Sequence, residues 1–146
     1  MPTFNGVEIA GDAIKVHGDP EYVFESATLD NDTGTNLSNV EIAGQPVVYN
    51  HSTGVATFVE ASTDEANTNA IIAEKGKLTL NNGSQTSRKY VVLVRGPAVL
   101  LQEGLPANDV EGAALVTATI VTQLEALSPP IIVRSEGSIL REEQTT

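Results

Sequence analysis

Apolar side chains along this chain come in short runs separated by turn formers, which is the spacing of β-strands. Val7–Ile9, Ala13–Val16 and Tyr22–Phe24 are divided by Gly11-Asp12 and Gly18-Asp19-Pro20. Leu29-Asp30-Asn31-Asp32-Thr33-Gly34-Thr35-Asn36 offers almost nothing to bury and predicts a surface loop. Val40–Ile42 and Gln45–Tyr49 follow, and then Val55–Val59 after Asn50-His51-Ser52-Thr53-Gly54, a hairpin signal. Glu60–Asn69 is polar and expected at the surface. Ala70–Ala73 and Lys77–Leu80 are short strands on either side of Glu74-Lys75-Gly76. Asn81-Asn82-Gly83-Ser84 is a turn of the kind tight hairpins use, because Asn and Gly tolerate positive φ. It leads through Gln85–Lys89 into Tyr90–Val94, the clearest strand of the chain. Gly96-Pro97 interrupts it, Ala98–Leu101 resumes, and Ile131–Val133 reads as a closing strand.

One segment has helical spacing. Val110, Ala114, Thr117, Val121, Leu124 and Leu127 recur on one face, and Asn108 with Glu111 forms a capping box. Pro129-Pro130 ends the pattern, since neither residue supplies an N–H. The β-branched run Val116–Thr122 also suits a strand; the capping and the double proline favour a helix over about 108–127. The chain is thus expected to be mainly β with one α-helix, a single domain over 26–134. An N-terminal arm (1–25) precedes it and a polar tail (135–146) follows.

Composition agrees with sheets. Hydrophobic residues are 40% of the 146, but aromatics only 4%, so the core is built from small β-branched contacts. The net charge of −11 disfavours nucleic acid and anionic membranes as partners. No cysteine is present, which removes disulfides, thiolate metal sites and a cysteine nucleophile. The first residues lack the basic and apolar regions of a signal peptide, and no stretch has the length of a membrane span. Synthesis in the cytoplasm is therefore expected, with export only as part of a particle.

Candidate chemistry is thin. Asp30, Asp32 and Glu41 occupy the first, third and twelfth positions of a calcium loop, yet its sixth position is Thr35 and the glycine sits one place early at Gly34. His17 and His51 both fall in predicted turns. Ser52 adjoins His51 without a nucleophile elbow around it, and two histidines alone lack a third metal ligand. No catalytic residue, cofactor site or metal site is expected.

From Gly44 onward the order of features is similar to that of the lambda-type phage head decoration proteins. Gly44–Gly54 resembles the family's hairpin. Ala70-Ile71-Ile72-Ala73-Glu74, then Val91-Val92-Leu93-Val94-Arg95-Gly96-Pro97-Ala98-Val99, Leu105-Pro106-Ala107-Asn108, the helix, and Ile131-Ile132-Val133-Arg134 carry the rest. Pro129-Pro130 stands where the family's pattern has a glycine turn. The resemblance implies a compact β-clip-like or barrel-like fold with a helix. It implies trimers bound to the major capsid protein on the outside of an expanded shell. It also implies an N-terminal arm that orders on the coat, for which Phe4, Val7 and Ile9 are the candidate docking residues. The same segment is equally well the first strand of the domain. Two other readings stand beside this one: a calcium- or glycan-binding β-domain using Asp30–Asn36, and a phage tail or neck subunit.

Overall fold

The computed structural model describes residues 3–4, 7–8, 14–16, 23–61 and 64–134. Among them the chain is mainly β, with twelve strands and one α-helix. In order these are β1 (Thr3–Phe4), β2 (Val7–Glu8), β3 (Ile14–Val16), β4 (Phe24–Asp30), β5 (Leu37–Glu41), β6 (Pro46–Asn50), β7 (Val55–Phe58) and β8 (Ala70–Ile72). β9 (Lys77–Leu80), β10 (Gln85–Leu93), β11 (Ala98–Leu101), α1 (Thr117–Glu125) and β12 (Ile131–Arg134) complete the series.

Five strands close into a barrel in the order β10-β4-β7-β6-β8. β4 and β7 run parallel and every other neighbouring pair is antiparallel. Closure follows from strict alternation, because side chains two apart in a strand share a face. Ala27 and Leu29, Val47 and Tyr49, Ala56 and Phe58, Ala70 and Ile72, and Val92 and Val94 are all buried in one cluster, the inner face. The opposite parity supplies Phe24, Ile71, Val91 and Leu93 to a second cluster. There they pack against Leu100 and Ile131 of a three-stranded sheet (β12-β11-β3) and against Ile120 and Leu124 of α1. β11 is parallel to β12 and antiparallel to β3. A third pairing, β5 with β9, joins the inner cluster through Leu37 and Leu78.

Several expectations hold. The β6–β7 hairpin forms, with Asn50 Oδ1 accepting the N–H groups of Ser52 (2.9 Å) and Thr53 (3.3 Å) and Gly54 at φ +74°. β10, β11 and β12 lie where the apolar runs placed them.

Others are corrected. The helix does not span 108–127 but begins at Thr117. Asn108 caps nothing there: it bridges to Ala114, and Asp109 folds 109–113 into a tight loop. Asp109 Oδ1 accepts the N–H of Glu111 and of Ala113, both at 2.9 Å, so the carboxylate closes a turn and starts no helix. The stretch 29–36 is not wholly a surface loop. β4 continues to Asp30, and the period-two alternation carries Leu29 and Asn31 inward to 0% exposure. Within Glu60–Asn69, Glu65 and Thr68 are buried. The Asn81–Ser84 turn forms, with Gly83 at φ +78°, yet β9 and β10 do not pair with each other; β9 pairs with β5 and β10 with β4 and β8.

Candidate functional site

Of the three docking candidates, Phe4 and Val7 are backbone partners in the β1–β2 ribbon. Ile9 lies outside the described residues, as do His17 and the tail from 135. Ile14–Val16 pair with β11, so this part of the N-terminal stretch is a sheet strand.

The calcium-loop positions are not brought together. Asp30 is in β4, Glu41 ends β5, and Asn31 between them turns inward. The Asn31 amide donates to the carbonyls of Thr35 and Leu80, each at 2.9 Å, and its Oδ1 accepts from the N–H (3.1 Å) and hydroxyl (2.7 Å) of Thr33. A buried polar side chain with both ends satisfied stabilises a loop without needing a ligand. The Asp30 carboxyl is pushed up by burial and then by the charge of Asp32. Among the described residues, no group of three or more His, Asp or Glu is placed to hold a metal ion.

His51 sits at one end of the barrel with Glu25, Tyr49 and Arg95. Its Nδ1 is 3.5 Å from Glu25 Oε2, and Arg95 Nη2 is 3.6 Å from the same oxygen. The Tyr49 ring meets the imidazole edge-on at 4.8 Å. Burial first, then the negative charge of Glu25, pushes the Tyr49 phenol up. Ser52 is held in the Asn50 turn and offers no nucleophile–base arrangement with His51.

Three buried carboxylates were not singled out by residue pattern. Glu74, 3% exposed, accepts from Arg88 Nη2 at 2.5 Å and from the N–H of Val91 at 3.2 Å. Arg88 in turn stacks 3.7 Å above the Tyr90 ring and donates to the Lys89 carbonyl. Glu65 accepts the N–H of Val116, the residue that precedes α1. Asp109 Oδ2 takes the N–H of Ala61 at 3.1 Å, while its other oxygen serves the 109–113 loop. Each of these anions is spent on backbone donors or on Arg88, the arrangement that makes a buried carboxylate tolerable.

The described surface is poor in large apolar side chains. Val116 is the one large hydrophobic side chain exposed among the described residues. No described helix is long and apolar enough to cross a membrane. In comparisons with family models, with curated proteins and with solved structures, nothing matches this chain.

Proposed function

We propose that this chain is a structural virion protein that binds the outer surface of an expanded phage capsid, as trimers at three-fold positions, and stabilises the shell against internal pressure. The observation that carries this reading is the order of elements from β10 on. A long strand, a buried Gly96 break, β11, the Leu105-Pro106 approach, a single helix and a final strand follow one another. These are the features on which the resemblance to lambda-type head decoration proteins rests. The disposition of chemistry supports it too, since the buried carboxylates are occupied in holding loops together. A cement protein need not turn anything over; it adds contact area between coat subunits, and many copies make modest interfaces sufficient. Its partners are the major capsid protein and its own copies, with no nucleic acid or membrane.

The test is co-sedimentation of the purified chain with expanded and unexpanded shells of the phage that encodes it. Saturable binding to expanded shells alone is the expected result, and deletion of Met1–Gly11 then asks whether the arm contributes. Absence of binding to either shell refutes the reading.

A further inference from the structure

The turn Asn81-Asn82-Gly83-Ser84 carries a reactive pair that the capsid reading does not use. Asparagine followed by glycine occurs at Asn5-Gly6, outside the described residues, and at Asn82-Gly83. The chemistry of such a pair is intramolecular. The backbone nitrogen of the second residue can reach the side-chain carbonyl carbon of the first, and a glycine has no side chain to hinder the approach. Asn82 and Gly83 are both exposed, and a Cβ built at Gly83 would meet nothing within 4 Å. Among the described residues, Asn82 is the one asparagine with a glycine after it.

The fold also holds this pair shut. Asn82 Oδ1 accepts the N–H of Gly34 at 2.9 Å, and the Asn82 N–H donates to Asn36 Oδ1 at 2.9 Å. The Gly83 N–H, which must be freed and lose its proton before the nitrogen can attack, donates to the Asn31 carbonyl at 2.8 Å. The Asn31 N–H in turn donates to the Ser84 carbonyl at 3.0 Å. Electrophile and nucleophile are thus both tied to the facing 31–36 segment. Reaction waits on a local opening of that clasp, which at exposed turn residues costs far less than unfolding the barrel.

We propose that Asn82 is a site of self-modification, converted to isoaspartate and aspartate at a rate set by opening of the 31–36 clasp. In the open turn the Gly83 nitrogen gives its proton to solvent base and attacks Asn82 Cγ. The N–Cγ bond forms, the Cγ–Nδ2 bond breaks, and Nδ2 leaves as ammonia with a proton from water. Water then opens the cyclic imide at either of its carbonyls. Attack at Cγ restores the ordinary backbone with aspartate at position 82, whose carboxylate still accepts the Gly34 N–H. Attack at the backbone carbonyl leaves the chain running through the former side chain, as isoaspartate. That product lengthens the backbone by one carbon just before Gly83, so the bonds joining Gly83 and Ser84 to Asn31 no longer fit together. The modification does not depend on the capsid reading.

The test keeps the full-length chain at mildly alkaline pH in heavy-oxygen water, with peptide mapping by mass spectrometry at intervals. An isoaspartate-specific methyltransferase separates the two products. Expected is uptake of heavy oxygen at Asn82 before any other asparagine between Asn31 and Asn108, faster as pH rises because the nitrogen must lose its proton. The free peptide spanning 80–86 reacts about 5- to 150-fold faster than the folded chain, the worth of the two hydrogen bonds that hold the reacting groups. Asn36→Ala, at an exposed position, removes one bond of the clasp and speeds conversion about fivefold. Asn36→Asp keeps the acceptor oxygen and the slow rate, and Asn82→Gln abolishes the reaction at that position. The isoaspartate form, isolated by ion exchange, unfolds at lower urea than Asn82→Asp. Conversion of another asparagine in that range while Asn82 stays intact overturns the site, as does no conversion within the time this slowing allows. A folded chain as fast as the peptide, or an Asn36→Ala chain no faster than wild type, overturns the clasp as the gate.

Discussion

Replacing Asn31 by aspartate changes one amide nitrogen to oxygen at a site with 0% exposure. The Oδ1 side is untouched, but the two donors toward the Thr35 and Leu80 carbonyls become an acceptor facing two acceptors at 2.9 Å. The side chain escapes only by taking up a proton. At about pH 7 this costs roughly 4 kcal/mol, some three units above an ordinary Asp pKa near 3.9 at 1.36 kcal/mol each. The added proton serves one carbonyl, and the other loses its amide donor at about 1–3 kcal/mol, at the low end if it is Thr35, which keeps the Thr33 hydroxyl at 3.2 Å. The total, roughly 5–7 kcal/mol, approaches the whole stability of a domain this size, about 5–15 kcal/mol. Because the native carboxyl is raised above its unfolded value, the native state binds the extra proton. The protonation part of the penalty is therefore absent below about pH 4 and grows by about 1.4 kcal/mol per pH unit above it. Urea unfolding of Asn31→Asp and wild type, compared at several pH values, reads this difference directly. A loss below about 1 kcal/mol at neutral pH, or a difference flat with pH, refutes the assignment of Asn31 as a buried double donor. A calcium loop at Asp30–Asn36 predicts the opposite outcome, since the new carboxylate would then stabilise the fold when calcium is added.

Gly96→Ala places a Cβ 1.8 Å from the Pro130 carbonyl oxygen, an overlap that backbone must move to relieve. A loss of roughly 3 kcal/mol or more is expected in thermal or urea unfolding. Gly44→Ala meets the Gly104 carbonyl oxygen at 2.1 Å from a backbone at φ +81°, and is expected to be as damaging. Asp109→Ala strips an acceptor from the N–H groups of Ala61, Glu111 and Ala113, with an expected loss of about 2–4 kcal/mol. Amide exchange should rise at those three residues before it rises in the barrel. Glu60→Gln tests the crowding of carboxylates around Glu60, where Glu111, Asp64 and Asp32 add their charge. The Glu60 carboxyl is raised in the fold, so its charged form costs stability above the ordinary carboxylate range and nothing below it. The substitution should raise the melting temperature at neutral pH, with the gain vanishing on acidification.

What could be read from residue order was local. The β6–β7 hairpin and the β10 and β12 strands announce themselves through apolar runs and the turn residues beside them. Their partners do not, because the parallel pairing of β4 with β7 and the antiparallel pairing of β5 with β9 join segments with no local mark of each other. The start of α1 is hidden from residue order for the same reason. Asn108 and Glu111 form a cap on paper, while the anion that meets the N–H of Val116 comes from Glu65, 51 residues earlier. Asn31 was legible in principle, since Ala27, Leu29 and Asn31 keep period two, but the surrounding Asp, Thr and Gly mask it as loop. Glu74 likewise continues an apolar strand and reads as its polar end; only the fold shows that Arg88, from β10, lies over it. The docking candidates Phe4, Val7 and Ile9 rest on resemblance, and the backbone pairs Phe4 with Val7 in a short ribbon.

The distribution of open strand edges bears on how such a molecule joins others. Each of the five barrel strands has a hydrogen-bonded neighbour on both sides, so no barrel strand needs a partner chain and lateral load is shared around the ring. Among the described residues, free edges belong to the β12-β11-β3 sheet, the β5–β9 ribbon and the β1–β2 ribbon. At the first, the Val133 N–H is met by Glu125 Oε2 at 3.2 Å, a side chain of α1 standing where a foreign strand would pair. The β12 edge is thus guarded by a charged side chain, which discourages indiscriminate strand addition there. Contacts made through side-chain charge at these edges leave the barrel intact. A small protein with few aromatic anchors can then assemble on a surface without unfolding any part of its core.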